Sequence, residues 1–391
     1  MGQVALRFVP SYGMFVVTME TKVIKLDERR PDVAKIQEAA ALVDAGGLVA
    51  FPTETVYGIA CRAERGSLAR LSEVKARVSD KRYTLHIERT DEVAKYVPTV
   101  GLRAQKLMRE GWPGPFTLVF ELNKADMQRQ RSDLGEEVVA NLYADDSVGI
   151  RCPDNPIAAH LLRMVRSPVV APSANAAGRA PAVAAEQVLA QLPGQIDLVL
   201  DGGPSKYKKG STVVKIGPKG LEVLRPGVRS REELQRLSQV KFLFVCTGNT
   251  CRSPMAEAMF RKHLAEKVGC EVDALEQIGY KVYSAGTMDM AGFPASEGAR
   301  IACAAKGIDI SVHTSSGLSW ELLEESDFVF VMSHVHGRAV ASLCPEAEVR
   351  CTLLTEDEEI PDPIGQSQEF FNRTSDMIEE AVKKRIGELV V

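Results

Sequence analysis

At 391 residues the chain is longer than a single hydrophobic core usually serves, and its length suits two domains. Its formal net charge of −4 excludes a general electrostatic affinity for nucleic acid, so any RNA contact would need a local basic patch. Hydrophobic residues make up 45% and charged residues 26% of the chain, which excludes a disordered or fibrous protein.

The cysteines and the apolar runs indicate the setting in which the chain works. Its eight cysteines are scattered along the sequence, which favours a reducing, cytoplasmic setting over a disulfide scaffold. No apolar run approaches the roughly 18 residues that a membrane span needs. Residues Met1–Thr18 lack the successive regions of a signal peptide. We therefore expect a cytoplasmic protein with no membrane partner.

The first predicted elements follow residues 1–20, which we assign to an N-terminal extension. Lys22–Leu26 is typical of a strand, and Pro31–Ala45 predicts a helix that ends at two glycines. The helix face that we expect to be buried carries Val33, Ile36, Ala40 and Val43. Leu48–Phe51 then predicts a buried strand.

A series of short motifs follows, each beside a predicted strand or helix. They are Pro52–Ile59, Lys75–Arg77 with a charged tail to Lys81, Leu85–Ile87, Trp112–Thr117, Val148–Pro153, Ala171–Asn175, Gly210–Val214 and Leu224–Gly227. From about Lys22 to Arg229, this succession resembles the YrdC family of threonylcarbamoyl-AMP synthases. The resemblance implies a twisted α/β sheet domain that joins L-threonine, bicarbonate and ATP into threonylcarbamoyl-AMP and releases pyrophosphate. The product would serve modification of the tRNA adenosine next to the anticodon, so tRNA or tRNA-modification proteins are the implied partners.

The negative charges of ATP require several cations on one concave surface, and the motifs supply them. By motif position, the resemblance assigns nucleotide and phosphate contacts to Lys75, Arg77, Lys81, Ser173, Asn175 and Arg225. It assigns the threonine site to Thr55, His86, Arg151, Ala171 and Ser211, with Arg151 paired to the carboxylate. Mg²⁺ is expected with ATP, although no carboxylate cluster marks a metal site.

Alternatives stay open at several of these positions. Lys75 and Lys81 also suit solvated surface charges, and His86 suits a half-buried structural histidine. Val78 replaces a proline that is common in the family, and Lys215 replaces an acidic residue, which puts ligand affinity in doubt. An RNA-binding or regulatory module without adenylation is the main alternative function, and carbamoyl transfer is a weaker one. The basic loop Lys206–Lys209 is interpreted as a solvated loop rather than an RNA contact.

Residues 229–240 are rich in charge and predict a short helical linker between a domain of residues 21–228 and a domain of residues 241–391. Phe242–Val245 then predicts a buried strand, and a helix begins near Pro254. The loop between them has five residues between Cys246 and Arg252. Backbone N–H groups and the helix N-terminus make such a loop an anion cradle.

The side chains of this loop predict attack on phosphorus. Arg252 can grip two phosphoryl oxygens, and the same positive field favours the thiolate form of Cys246 as the nucleophile. Ser253 can donate a hydrogen bond to the sulfur, and Asn249 can hold the unusual turn of the loop. A buried structural cysteine beside a capped helix is the alternative.

The loop resembles the signature of the low-molecular-weight protein phosphatases, and the resemblance covers about Lys241 to Val391. It implies a doubly wound parallel sheet with the anion site at the end of the first strand, which the strand-like segments Val282–Thr287 and Phe328–Met332 suit. The family's general acid would be Asp362, followed by Pro363. Phosphorylated proteins are the implied substrates, and no cofactor is expected for this half.

Three further features bear on the reaction. Thr250 resembles the protein-arginine phosphatase branch, and Ile364-Gly365 replaces the aromatic pair of tyrosine-directed enzymes, so we favour phosphoarginine over phosphotyrosine. Arsenate reductases share the fold and use two more cysteines, for which Cys344 and Cys351 are the candidates, although Ser333 stands at the strand end. Cys251 could form a reversible disulfide with Cys246 or simply fill the loop.

Overall fold

The computed structural model describes residues 4–9, 14–76, 83–217 and 220–391. It divides into two compact units: the first comprises residues up to 100, 107–216 and 221–237, and the second comprises 101–106, 217–220 and 238–391. Both are of the α/β class. The predicted nucleotide contacts Arg77 and Lys81, and the substitution at Val78, lie outside the described residues.

Two strands precede the first unit's main sheet. They are β1 (Val4–Val9) and β2 (Met14–Met19), and they pair with each other as an antiparallel two-stranded sheet. Both fall within residues 1–20, which we continue to propose as an N-terminal extension.

The chain from Lys22 to Leu237 forms ten strands and eight α-helices in the described ranges. The strands are β3 (Lys22–Lys25), β4 (Val49–Phe51), β5 (Gly58–Arg62), β6 (Leu85–His86), β7 (Phe116–Glu121), β8 (Ser147–Arg151), β9 (Val169–Val170), β10 (Leu198–Asp201), β11 (Thr212–Gly217) and β12 (Gly220–Arg225). The helices are α1 (Val33–Asp44), α2 (Arg65–Val74), α3 (Leu102–Gly111), α4 (Lys124–Leu134), α5 (Glu136–Leu142), α6 (Pro156–Met164), α7 (Ala185–Gln191) and α8 (Arg231–Leu237), with a 3-10 turn at Thr90–Lys95.

The ten strands form one mixed sheet in the order β12-β11-β7-β8-β6-β9-β5-β4-β10-β3. In its middle, β6 runs parallel to β8 and antiparallel to β9, so segments distant in the chain meet there. Helices α1 and α6 pack against the half of the sheet that contains β4 and β10.

Helix α1 departs from its prediction in one respect. Asp32 caps it by accepting hydrogen bonds from the N–H groups of Ala34 and Lys35. Val33, predicted to be buried, is 45% exposed, so that assignment is wrong. The whole first turn is exposed, and the buried face starts one turn later, at Ile36. Periodicity identifies a helix face but not how far along the helix its packing partner extends.

The second unit contains a four-stranded sheet and six α-helices within the described residues. The strands are β13 (Val240–Cys246), β14 (Tyr280–Gly286), β15 (Phe328–Val331) and β16 (Cys351–Leu353). The helices are α9 (Arg252–Val268), α10 (Leu275–Ile278), α11 (Glu297–Ala304), α12 (Trp320–Glu325), α13 (His334–Leu343) and α14 (Gln368–Glu388), with 3-10 turns at Val272–Ala274 and Pro345–Arg350.

This sheet is parallel throughout, in the order β14-β13-β15-β16. Alternate residues of β13 enter two different cores: Phe242 and Phe244 pack with α9 and α14, whereas Leu243 and Val245 pack with α12 and α13. Helices therefore cover both faces, which confirms the predicted doubly wound sheet. Cys246 ends β13 between β14 and β15, which is the switch point where open parallel sheets bind ligands.

No helix among the described residues combines the length and the apolar character that crossing a bilayer requires.

Candidate active sites

The first candidate site is built around the buried Arg151, at the end of β8. Its Nη2 donates hydrogen bonds to Glu54 Oε1 at 2.8 Å and to Thr55 Oγ1 at 2.7 Å. Its Nε is buried and has no hydrogen-bond partner among the described residues. A guanidinium held in this way presents a further N–H to an added acceptor, such as a carboxylate.

His86 lies directly beside Arg151, because the two residues pair across the parallel strands β6 and β8. Its Nδ1 is 3.1 Å from the carbonyl oxygen of Thr84, and a carbonyl only accepts, so Nδ1 carries the hydrogen. Burial, and secondarily the charge of Arg151, lower the pKa of His86 to about 3. The imidazole is therefore neutral at pH 7, with the acceptor lone pair on Nε2. It is buried, with 6% of its surface exposed, rather than half-buried.

Arg225 brings a second cation to the same region. Its Nη2 donates to the carbonyl oxygen of Ser211 at 3.0 Å and to Ser211 Oγ at 3.1 Å. Burial, and then the charge of Arg151, lower the pKa of Arg225. Two guanidinium groups that raise the energy of each other's charge favour the binding of an anion nearby.

Lys75 holds the loop after β9. Its Nζ donates to the carbonyl oxygens of Ser173 at 2.8 Å and Asn175 at 2.6 Å, and to Asn175 Oδ1 at 3.2 Å. Ser173 Oγ in turn donates to Asn175 Oδ1 at 2.5 Å. Lys75 is thus a structural part of this loop, not a solvated surface charge.

The predicted residues of this unit therefore form three groups, and the members of each group contact one another. Thr55, His86 and Arg151 are joined directly, Ser211 binds Arg225, and Lys75 binds the loop of Ser173 and Asn175. The N–H of Ala171 donates to the carbonyl oxygen of Thr84, the same oxygen that His86 binds. The basic loop Lys206–Lys209 is exposed. Lys215, which replaces an acidic residue of the family, pairs with Glu121.

The second candidate site begins at Cys246, whose Sγ is 2.9 Å from Ser253 Oγ. Asn249 Nδ2 donates to the same Ser253 oxygen at 2.8 Å. An amide nitrogen only donates, so the Ser253 hydrogen is directed at the sulfur. This geometry fits the donor role predicted for Ser253.

Asn249 holds the turn of the loop from within. Its backbone is left-handed, with φ of 51°, and its side chain donates to Ser284 Oγ and accepts from the N–H of Ser316. Gly286 allows the close approach of β14, because a Cβ there would lie 2.7 Å from the carbonyl oxygen of Thr247. His313 Nε2 donates to the carbonyl oxygen of Asn249 at 2.8 Å.

Arg252 is buried at the first position of α9 and bridges the loop to the distant acid. Its Nη2 donates to Asp362 Oδ2 at 2.5 Å and to Thr247 Oγ1 at 3.1 Å, and its Nη1 donates to the carbonyl oxygen of Ile360 at 3.2 Å. Its Nε is buried with no hydrogen-bond partner in the part of the chain that the structure describes. That N–H suits a phosphoryl oxygen.

A cavity of about 220 Å³ brings these groups to one surface. Its walls are Cys246, Thr247, Gly248, Thr250, Cys251, Arg252, Met288, Met290, Asp362 and Ile364. Of the six predicted catalytic residues, Ser253 and Asn249 are not among the lining residues and are buried around the loop. The arrangement places a thiol, a guanidinium and a carboxyl group around one cavity, which is the set of groups that transfer of a phosphoryl group would need.

Cys344 and Cys351, the two cysteines considered for an arsenate reductase, do not line the cavity of Cys246. Cys344 is buried, and Cys351 lines a different cavity, of about 590 Å³. Burial raises the pKa of Cys351 to about 11, so its thiol stays protonated. Cys251 does line the Cys246 cavity, and its Sγ donates to Ser296 Oγ at 3.1 Å. Burial raises the pKa of Cys251 as well.

Several residues of both sites were not predicted from the sequence. Glu54 and Thr247 lie inside motifs that the sequence indicated, and the need of a buried arginine for a nearby acceptor was the signal that could have identified them. Ser284, His313 and His336 carried no such signal, because they contact the loop only after folding. No group of three or more His, Cys, Asp or Glu side chains within the described ranges is arranged to hold a metal ion.

Comparisons with known proteins match two successive parts of the chain to two different families. Residues 41–227 match the Sua5, YciO and YrdC family model, described as telomere recombination, and residues 241–390 match the model of low molecular weight phosphotyrosine protein phosphatase. A putative threonylcarbamoyl-AMP synthase of Mycobacterium tuberculosis strain H37Rv is 34% identical over 51% of this chain and 87% of that protein. The protein-arginine-phosphatase of Bacillus subtilis is 36% identical over 38% of this chain and 95% of that protein. The chain belongs to both families.

The phosphatase-family unit has relatives of both specificities. The low molecular weight protein-tyrosine-phosphatase Etp of Escherichia coli strain K12 is 33% identical over 37% of this chain and 93% of that protein. The YrdC-family unit also matches longer proteins. The chain spans 65% of the length of the threonylcarbamoyl-AMP synthase of Pyrococcus abyssi and 58% of the one from Bacillus subtilis.

Proposed function

We propose that the YrdC-family unit is an L-threonylcarbamoyladenylate synthase, which supplies threonylcarbamoyl-AMP for the N6-threonylcarbamoyladenosine of tRNA. The observation that carries the proposal is the buried Arg151, which is held by Glu54 and Thr55 beside a neutral His86. Relatives named threonylcarbamoyl-AMP synthase support it. Its partners would be L-threonine, bicarbonate, ATP and the tRNA-modification machinery.

The charged and neutral residues of the site would bind different parts of the substrates. The guanidinium of Arg151 would bind the threonine carboxylate, and Nε2 of His86 would accept a hydrogen bond from the substrate. The amine of threonine and bicarbonate form a carbamate with loss of water. A carbamate oxygen then attacks the α-phosphorus of ATP, and the bond to pyrophosphate breaks. Arg225 and the loop held by Lys75 would neutralise the phosphate charge. Mg²⁺ would arrive with ATP and shield its phosphates.

Pyrophosphate release tests this half. We expect release that requires L-threonine and bicarbonate together, and that persists in a Cys246→Ser variant, because that residue belongs to the other site. An RNA-binding or regulatory module would instead retain tRNA in a gel-shift assay and release no pyrophosphate from ATP. Release without threonine would indicate a different nucleotide reaction.

We propose that the phosphatase-family unit hydrolyses phosphorylated protein side chains through a phosphocysteine. Cys246 Sγ forms a bond to phosphorus while the bond to the leaving atom breaks, and Asp362 gives that atom its proton. Arg252 and the loop N–H groups stabilise the equatorial oxygens, and Ser253 stabilises the thiolate. Asp362 then takes a proton from the water that cleaves the S–P bond. These steps need no metal or cofactor.

We further propose phosphoarginine as the preferred substrate. Thr250 lines the cavity with a hydroxyl, and Ile364, which is 59% exposed, stands where an aromatic platform would favour a phenol ring. The test compares phosphate release from phosphoarginine and phosphotyrosine peptides, with Cys246→Ser as the blank. Faster release from phosphotyrosine would refute the preference while leaving the proposed phosphatase activity intact.

All eight cysteines are unpaired, which fits the reducing, cytoplasmic setting that we propose for the protein.

A further inference from the structure

A line of hydrogen bonds leads from the start of α13 to the phosphate-binding arginine. Ser333 Oγ is 2.9 Å from His336 Nδ1, and His336 Nε2 is 2.9 Å from Thr247 Oγ1. Arg252 Nη2 donates to the same Thr247 oxygen at 3.1 Å. Ser333 and His336 are buried, so water competes little for these contacts.

The charged end group fixes one direction in this line. A guanidinium only donates, so Thr247 Oγ1 accepts from Arg252, and its own hydrogen is then available to His336 Nε2, which is the direction that a relay toward Arg252 uses. His336 then carries its hydrogen on Nδ1 and donates to Ser333 Oγ. This requires a neutral imidazole, and burial, followed by the charge of Arg252, lowers the pKa of His336 to about 4. Asp362 and Glu359 act in the opposite direction and are outweighed.

The line matters because Arg252 shares one nitrogen between two acceptors. Its Nη2 donates both to Thr247 and to Asp362, whose side chain is 40% exposed. A protonated Asp362 no longer forms an ion pair with the guanidinium, so its hold on Arg252 weakens in the step that delivers the proton to the leaving atom. Thr247 and the carbonyl oxygen of Ile360 are the contacts that remain.

We propose that Thr247 and His336 are positioning residues of the phosphatase reaction, in which a Ser333–His336–Thr247 relay keeps the guanidinium of Arg252 in place when the hold of Asp362 weakens. The proposal rests on the phosphatase function proposed above. It predicts that the imidazole acts only through the hydroxyl of Thr247, and neither side chain takes or gives a proton during the reaction.

The test measures kcat and KM for a phosphoarginine peptide and the inhibition constant of inorganic phosphate, in the full-length protein. Thr247→Val removes the hydroxyl at nearly constant shape, and His336→Leu removes its partner. Loss of a hydrogen bond to a charged group should lower kcat/KM by roughly 10-fold to 100-fold and weaken phosphate binding. Thr247→Ser and His336→Gln retain the required donor and acceptor and should recover most of the activity.

The decisive comparison is the double variant Thr247→Val/His336→Leu. If the imidazole acts through Thr247, the double variant is no worse than Thr247→Val alone. Losses that multiply, or a phosphate inhibition constant unchanged in both single variants, would overturn the proposal. His334→Leu is the matched control, because it removes an exposed imidazole from the same turn of α13 and should change neither constant.

Two checks separate failure of the relay from other failures. If His336→Leu lowers the melting temperature markedly, the comparison of Thr247→Val with Thr247→Ser decides, since Thr247 lines the open cavity. If the wild-type protein hydrolyses neither phosphopeptide, the proposed function fails. Phosphate binding measured by thermal shift then still tests the relay, because weaker binding by Thr247→Val than by Thr247→Ser supports it and equal binding refutes it.

Discussion

The two halves of the protein each bury an arginine, and the two arginines differ in the acid that holds them. Arg151 and Arg252 are each 5% exposed, and each donates to one carboxylate and to a threonine hydroxyl. The carboxylate side chain is 2% exposed in Glu54 but 40% exposed in Asp362. A buried acid cannot leave its cation without a large loss of free energy, whereas a half-exposed acid can. Glu54 is therefore suited to fixing an arginine, and Asp362 to carrying a proton.

Removing the acid function of Asp362 should give the largest effect on activity. Asp362→Asn should lower kcat for phosphopeptides about 10²–10⁴-fold, because the leaving atom loses its proton donor. Phosphate binding and the melting temperature should change little, since the residue is half exposed. Steady-state kinetics and thermal unfolding of the same preparation measure both. A large drop in melting temperature would mean that Asp362 is a structural partner like Glu54.

Glu54→Gln should have the opposite effect, because it should lower the stability of the first unit more than the rate of its reaction. Losing one member of a buried ion pair leaves Arg151 uncompensated and should destabilise the first unit by about 3–5 kcal/mol. The KM for threonine should also rise. The matched control is Glu121→Gln, because Glu121 pairs with Lys215 at a half-exposed site. It should cost at most about 1 kcal/mol. Equal losses of unfolding free energy in Glu54→Gln and Glu121→Gln, measured by chemical unfolding, would contradict this expectation.

Thr250→Ile should shift the choice of substrate rather than the overall rate. It replaces the cavity hydroxyl with an apolar side chain and should reverse a phosphoarginine preference, by roughly 10-fold in the ratio of the two kcat/KM values. The measurement is the ratio for paired phosphoarginine and phosphotyrosine peptides. An unchanged ratio would remove Thr250 from the determinants of specificity.

The stability of both units should also depend on pH. The folded pKa is about 3 for His86 and about 4 for His336, below the 6.5 of an exposed histidine, so the unfolded chain binds more protons as the pH falls from 6.5 toward 4. Each histidine should therefore lower the free energy of unfolding by up to about 1.4 kcal/mol per pH unit in that range. His336→Gln should lessen the slope for the second unit. Equal slopes for the wild-type protein and His336→Gln in chemical unfolding at pH 7, 6 and 5 would show that folding does not lower the pKa of His336.

The sequence by itself determined the parts of both sites that are local. Strand β13, the loop from Cys246 to Arg252 and helix α9 follow one another, so periodicity and loop chemistry were enough to predict an anion site with a nucleophile. The order of the motifs likewise indicated the YrdC family, and the loop from Cys246 indicated the phosphatase family, before any contact was known. Arg77 and Lys81 lie outside the described residues, so their assignment remains a prediction.

Only the tertiary structure decided which charges are compensated and which are available. Arg151 meets Glu54 across 97 residues, and Thr247 meets His336 across 89 residues, and neither pairing has a periodic signal. The exposed first turn of α1 shows the same limit, because burial depends on where the neighbouring layer ends. Local propensity acts over a few residues, whereas burial, pKa shifts and the mobility of an acid depend on groups that folding brings together.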